Sequence, residues 1–428
     1  MKNRLTALAI LLVATLGCTQ TAAGPTTQPT GLELAVAAAT RAPVDPAEAV
    51  QAAEAMNAFG LDFYRRVATG TGNVVVSPAS VAIALAMARA GARGATASQM
   101  DAVFRSLGSD EHAGWINALD ALLASRTGTF KDNLDKDMDV TLRIANAPFA
   151  QRGFKLEDPF LTALATRFGA GLRLVDYARA TEAARTTINR WVSQQTEQRI
   201  PELLAPGDLA TATRLVLVNA IYLKAAWQTP FEAGLTGPAA FTTLDGSTVQ
   251  VPTMRGGGRL PYAAGDGWRA VELPYVGGQL AMTLVVPDEL ASFERTLDVA
   301  SLAAISGALK THQVELSLPK FGIETRADLA TTLAALGMPD AFDPSKADFS
   351  GMTSEQRLYI SKVIHQANID VDEKGTIASA ATAVVMDATG MPADSVTLHV
   401  DRPFLFLIRD IETGAVVFVG RVTQPTTR

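Results

Sequence analysis

Glu373-Lys374-Gly375-Thr376-Ile377-Ala378-Ser379-Ala380-Ala381-Thr382-Ala383-Val384-Val385-Met386 is a run of small and β-prone residues with no evident role in a static core. Side chains alternate along a strand, so Thr376, Ala378, Ala380, Thr382, Val384 and Met386 share one small, largely apolar face. The other face, Ile377, Ser379, Ala381, Ala383 and Val385, is also uncharged, so little opposes insertion of this segment between two existing strands. Gly375 supplies a permissive hinge just upstream. Left exposed, such a strand is an aggregation hazard, and a chain that keeps one has a use for it.

Around this segment the chain reads as ordinary globular protein. Its 428 residues exceed a typical single domain, yet no Gly/Ser-rich or Pro-rich break follows residue 46, so one large α+β domain is expected. A hydrophobic share of 48% against 19% charged residues excludes general disorder. The net charge of −6, with no basic stripe carrying interleaved aromatics, gives no reason to expect nucleic acid as a partner, and none is expected.

Lys2 and Arg4 precede the apolar run from Leu5 to Leu16, whose length suits the core of a signal peptide better than a membrane span. The single cysteine, Cys18, follows Leu16-Gly17 and resembles the lipidated cysteine of bacterial lipoproteins, although Thr15 stands where that pattern favours an aliphatic residue. Residues 1–17 are therefore read as a signal peptide, 18–45 as a flexible Ala/Thr/Pro/Gly-rich tether and 46–428 as the folded domain. Export follows from this reading, with contact to a lipid membrane through Cys18 alone. One cysteine allows no internal disulfide, so stability must come from packing.

Along the domain, Asp45-Pro46-Ala47-Glu48 is a helix start, and Val50, Met56, Phe59, Phe63 and Val67 recur near helical spacing behind it. A second helix follows Ser77-Pro78-Ala79-Ser80, and a third near Thr187 to Gln198 carries Trp191. Strand-like alternation marks Thr213 to Lys224, Gln279 to Val286, Val314 to Pro319, Phe404 to Arg409 and Ala415 to Gly420, the last two joined by a turn at Glu412-Thr413-Gly414. Helices crowd the first half and strands the second, which favours α+β over an alternating fold.

Motifs for chemistry are mostly missing. No nucleophile elbow, H-E-x-x-H or P-loop is present, and His112, His312, His365 and His399 have no metal-ligand spacing. Asp370-Val371-Asp372-Glu373-Lys374-Gly375 imitates the opening of a calcium loop, but Lys374 occupies a ligand position and Ala381 stands where a bidentate Glu is required. No metal and no cofactor are expected. Ser77 or Ser80 could meet His365 in a hydrolytic arrangement, but no local signature supports it, and hydroxyls and imidazole bonded to one another in the core are the simpler reading.

The segments already singled out resemble the serpin family over roughly residues 46 to 428. The resemblance is carried by Asn73-Val74-Val75-Val76-Ser77-Pro78-Ala79-Ser80, Gly91-Ala92-Arg93-Gly94, Asn189-Arg190-Trp191-Val192 and Leu217-Val218-Asn219-Ala220-Ile221-Tyr222-Leu223-Lys224 with Trp227 and Phe231. It continues through Val251-Pro252-Thr253-Met254, Leu273-Pro274-Tyr275, Leu318-Pro319-Lys320-Phe321, Asp401-Arg402-Pro403-Phe404 and Gly420-Arg421-Val422. So many blocks in one order are far more specific than a lone motif.

The resemblance implies a serpin fold, with helices clustered around a large central sheet, two further sheets and an exposed reactive-centre loop at about residues 373–400. It implies a suicide substrate for serine proteases and not an enzyme, with no catalytic residues of its own. Glu373, Lys374, Gly375, Thr376, Ala378, Ala380 and Ala381 match the family's hinge. Ser77, Ser80, Asn219 and His365 match the shutter beneath the opening sheet, and Trp227 matches the breach where insertion begins. Counting from the hinge places the scissile bond at Thr389-Gly390, with Met386 and Ala388 as alternatives. No Arg or Lys lies between Lys374 and Arg402, which points to elastase-like or subtilisin-like targets. A cysteine protease target and a non-inhibitory binding or chaperone module are the competing expectations, and a monomer is expected in each case.

Overall fold

The computed structural model describes residues 32–133, 135–376 and 395–426. Its helices are α1 (Pro46–Val67), α2 (Pro78–Arg89), α3 (Gly94–Val103), α4 (Ala113–Ser125), α5 (Asp158–Phe168), α6 (Tyr177–Gln195), α7 (Leu290–Thr296), α8 (Val299–Ala308) and α9 (Ala330–Leu336). The strands up to the middle of the chain are β1 (Glu33–Ala35), β2 (Val74–Val76), β3 (Gly128–Lys131), β4 (Asp137–Gln151), β5 (Leu172–Val175), β6 (Leu215–Ala226), β7 (Gly237–Thr242) and β8 (Thr248–Gly265). Those that follow are β9 (Trp268–Pro274), β10 (Leu280–Pro287), β11 (Lys310–Pro319), β12 (Phe321–Asp328), β13 (Ile360–Asp372), β14 (Gly375–Thr376), β15 (Ser395–His399), β16 (Phe404–Asp410) and β17 (Val416–Val422).

The strands form two large sheets. The central one runs β1-β5-β4-β6-β14-β13-β12, with β3 added to β4, and the other runs β15-β11-β8-β9-β10-β16-β17-β2, with β7 added to β8. The α+β expectation holds, and the five strands read from alternation fall on β6, β10, β11, β16 and β17. The helix read near Thr187 is α6, which begins ten residues earlier at Tyr177.

Helix α2 is buried along its whole length, from Pro78 to Arg89. Its residues are small or apolar up to the terminal arginine, so no face needs water. Ser77 caps it: the Ser77 Oγ accepts the backbone N–H of Ser80 at 3.1 Å, and Pro78 occupies the first turn, where no amide bond is lost. The helix packs against β4, β6 and β17 and so occupies the space between the two sheets.

The tether reading is corrected from residue 32 onward. Glu33, Leu34 and Ala35 pair antiparallel with β5, giving the central sheet a terminal strand, and Leu32 is buried. Farther along, Arg41 binds the Asn117 side chain at 2.7 Å and Asp120 at 2.8 Å on α4. The physical reason is that β5 would otherwise leave an open edge, and Leu32 and Leu34 carry enough apolar surface to cover it. Composition alone does not reveal a pairing whose partner lies some 140 residues away.

Candidate functional site

The central sheet has an uneven seam. Along its lower part β6 and β13 pair directly and in parallel, from Leu215 and Ile360 up to Ile221 and Ala367. Beyond that they part, and β14 lies between them. Gly375 and Thr376 pair antiparallel with Ala226 and Ala225 on one side and with Asp372 and Val371 on the other.

This two-residue wedge is built by a tight reversal after β13. The Asp372 carboxylate accepts the backbone N–H groups of Lys374 (2.8 Å) and Gly375 (3.2 Å), turning the chain back on itself. Gly375 has φ of +148°, and a Cβ there would lie 2.1 Å from the Ala225 carbonyl oxygen, so glycine is required. Thr376 is fully buried and its Oγ1 is 2.7 Å from the Tyr275 hydroxyl. Tyr275 in turn stacks on Trp227, with ring centroids 4.7 Å apart.

The residues around the turn hold it from several directions. The Trp227 backbone N–H donates to the Lys374 carbonyl and its indole N–H to the Asp372 carbonyl, at 2.9 and 3.0 Å. Lys320 Nζ lies 2.9 Å from one Glu373 carboxylate oxygen, and the Thr236 hydroxyl donates to the other at 2.9 Å. Burial opposes the charge on Glu373, but these donors outweigh it and hold the carboxyl below its usual range.

Lower on the seam the other sequence-matched residues converge. Asn219 and His365 are a directly opposed pair of β6 and β13, and both are fully buried. The Ser77 backbone N–H donates to His365 Nε2 at 3.1 Å, so Nδ1 carries the proton and donates to Asn219 Oδ1 at 3.0 Å. Burial keeps the imidazole neutral, with its pKa pushed down to about 3. Ser77 Oγ donates to the Val417 carbonyl, and Ser80 Oγ to Asn146 Oδ1. Neither hydroxyl faces the imidazole, no carboxylate orients it and solvent does not reach it, so the cluster has none of the geometry of a hydrolase. One polar atom is left over: Asn219 Nδ2 is buried without an acceptor.

Of the residues singled out in the sequence, the structure brings Glu373, Lys374, Gly375, Thr376, Trp227, Ser77, Ser80, Asn219 and His365 together on or against one seam. Ala378, Ala380, Ala381, Met386, Ala388, Thr389, Gly390 and Cys18 lie outside the described residues. The residues missed are Tyr275, Lys320, Thr236, Asp372 and Asn146. Tyr275 and Lys320 sit inside blocks that carried the family resemblance, which was the available signal for them.

A central sheet parted at one end, with a buried hinge threonine already in the gap, is the observation against which known proteins are best compared. Residues 54–425 match the family described as serpin, serine protease inhibitor. The chain belongs to the serpin family. Human leukocyte elastase inhibitor is 35% identical over 389 residues, covering 88% of this chain and 100% of that protein. A serpin-like protein of Thermococcus kodakarensis is 36% identical over 375 residues, covering 87% of this chain and 85% of the other. Among solved structures, the native thermophilic serpin tengpin superposes with a TM-score of 0.78 at 27% identity, covering 90% of this chain and 96% of that one. Native protease nexin-1 with heparin gives 0.77 at 29% identity, covering 89% and 100%. Serpins are protease inhibitors and not enzymes, which sets the hydrolase reading aside.

Proposed function

We propose that this serpin is a suicide-substrate inhibitor of serine proteases, with its reactive-centre loop feeding into the central sheet after cleavage. The observation that carries the reading is the register of β14. Continued one residue at a time, the pairing of Thr376 with Ala225 and Val371 brings Thr382 opposite both Asn219 and His365, and Met386 opposite Leu215. Thr382 then falls on the face that carries the orphaned Asn219 Nδ2, whose missing acceptor a threonine hydroxyl can supply.

The topology also favours the exchange. Each inserted residue replaces one parallel β6–β13 pairing with two antiparallel ones, and parallel pairing is the weaker kind. From Gly375 to Thr389 is fifteen residues, on the order of 50 Å of strand. A protease acylated at that bond would be dragged over such a distance. Its catalytic donors and base work only within fractions of an ångström, so deacylation would stall.

Between Lys374 and Arg402 the loop offers no basic residue to a trypsin-like pocket, and Val384 to Thr389 suit an elastase-like or subtilisin-like one. The likeness to leukocyte elastase inhibitors agrees with that choice. The N-terminal sequence adds export and lipid attachment at Cys18 to the proposal, which incorporation of labelled fatty acid into the wild type and its loss in Cys18→Ser would test.

Mixing the chain lacking residues 1–18 with elastase-like, subtilisin-like and trypsin-like proteases tests the central claim. A complex that survives denaturing electrophoresis is expected with the first two, and the mass of the released peptide reports the cleaved bond. Clean cleavage with no complex from any protease would instead indicate the non-inhibitory binding module.

A further inference from the structure

The face of the central sheet that lies under α6 is lined mostly by apolar residues, and an arginine stands among them. Arg173 on β5 falls in a row across three strands, between Leu34 of β1 and Phe149 of β4. Phe149, Ala147 and Val216 form one buried cluster with Ile188 and Val192 of the helix. The Arg173 guanidinium carbon lies 4.4 Å from the ring centroid of Trp191 on α6 and 6.0 Å from that of Phe149. Both rings attract the cation through their faces, which offsets part of its loss of water. Neither gives its N–H groups an oxygen to bond.

This cation lacks a counter-ion. Among the described residues no carboxylate pairs with Arg173, and its Nε is buried with no acceptor. Burial alone acts on the guanidinium and draws its pKa down to about 10, so the charge persists at neutral pH with no acidic neighbour to support it. Two nearby acids are committed elsewhere. Glu33, on the opposite face of β1, pairs with Arg152 at 2.9 Å, and the Asp176 carboxylate accepts the Arg179 N–H in the first turn of α6. On the ring that covers Arg173, the Trp191 indole N–H likewise finds no acceptor among the described residues. Adjacent donors without an acceptor, one of them a full cation, are the complement of an anion. Arg173 is only partly buried, so a solute can reach it.

We propose that Arg173 and Trp191 form a binding site for one small oxyanion, a carboxylate or a phosphate, at the junction of β5 and α6. The planar guanidinium presents paired donors that match such an anion, and the indole adds another N–H. The bound anion supplies the acceptor that the buried Nε lacks. Arg173 belongs to the sheet and Trp191 to the helix, so the anion ties one to the other. Because α6 also packs on Val218 of β6 and Ile364 of β13, the tie steadies the helix over the seam between those strands. The site goes beyond the inhibitory reading and does not depend on it.

The test is urea unfolding of the wild-type chain, Arg173→Met and Trp191→Phe, with inorganic phosphate or acetate replacing chloride at constant pH and ionic strength. Methionine keeps an unbranched stem against Trp191 while removing an unpaired charge, so in chloride this variant should be at least as stable as the wild type. The wild-type midpoint should rise with the logarithm of the concentration of at least one of the two anions. Arg173→Met should lack that rise, and Trp191→Phe should need a several-fold higher concentration for it. Salt effects on the rest of the surface move all three proteins alike, so equal responses overturn the site. Equilibrium dialysis with labelled phosphate and labelled acetate needs no unfolding. It should find one bound anion per wild-type chain, held several-fold more weakly by Arg173→Lys, and the anion retained tells carboxylate from phosphate. Binding of neither anion, or binding that Arg173→Lys leaves unchanged, overturns the proposal.

Discussion

Tyr275 Oη lies 2.7 Å from Thr376 Oγ1, so a residue just beyond the end of β9 holds the buried threonine of the hinge. Burial raises the phenol's pKa, so it stays protonated and can donate across the physiological range. Tyr275→Phe leaves the Thr376 hydroxyl buried with its partner gone, and about 1 kcal/mol of stability should be lost from the uncut chain. Thr376→Val should lose a similar amount, and the double variant no more than either alone. Urea unfolding of the four proteins measures this, and additive losses would show that the two hydroxyls are not coupled.

Gly375 admits no side chain in this position. Valine there meets the Ala225 carbonyl and is forced to a positive φ, at a cost of about 1–3 kcal/mol. Gly375→Val should expel β14, exposing the turn at Glu373 and Lys374 to limited proteolysis and changing the fluorescence of Trp227, whose backbone and indole both bond to this turn. An unchanged cleavage pattern and spectrum would mean that the wedge is not where the structure puts it.

A substitution on the wedge's inward face separates the two serpin behaviours. Thr376→Arg places a guanidinium in a fully buried position, so the cut loop cannot enter the sheet and the chain should become a plain substrate. The number of chains consumed per protease trapped should rise at least tenfold. Trapping at the wild-type stoichiometry would sink the insertion mechanism.

His365 predicts an acid response. Its pKa is about 3 in the fold against an ordinary 6.5, so the unfolded chain binds this proton more readily than the folded one. Its contribution is fully present above pH 6.5 and declines as pH falls from 6.5 toward 3, with a limiting slope of about 1.4 kcal/mol per pH unit. Denaturant midpoints at pH 7, 6 and 5 should therefore fall in the wild type, and the fall should be shallower by one proton in His365→Gln. Parallel profiles would assign the acid sensitivity elsewhere.

Thr382 should matter only after cleavage. If its hydroxyl meets Asn219 in the inserted sheet, Thr382→Val lowers the stability of the loop-cleaved chain by about 1 kcal/mol and leaves the uncut chain unchanged. Comparing unfolding of both forms decides the point, and an equal effect on the two would break the extrapolated register.

Much of this site was legible because it depends on residue type at short range. The small alternating residues after Gly375 announce a strand that needs a sheet, and Ser77-Pro78 announces a helix start. The depth of hinge insertion was not legible, since it is decided by bonds from Trp227, Thr236, Tyr275 and Lys320, each at least fifty residues from the hinge. Strand β13 escaped the alternation test because it is buried on both faces while carrying His365, Gln366 and Asn368, so its pattern is neither amphipathic nor uniformly apolar. The pairing of β1 with β5 was hidden for a related reason: three residues of strand carry little signal without the edge they cover.

The two-residue wedge also bears on how long such a molecule keeps. In a growing ladder the first rung is the hardest to form, and here it already exists before any bond is cut. On the inhibitory reading, what would restrain further growth is the continuity of the chain, which returns to pair at β15 against β11. On the inhibitory reading, the uncut form would then owe its persistence to a rate and not to an equilibrium. Its useful life in solution would be set by the clock of spontaneous insertion, running faster with warmth and with every substitution that loosens the seam between Asn219 and His365.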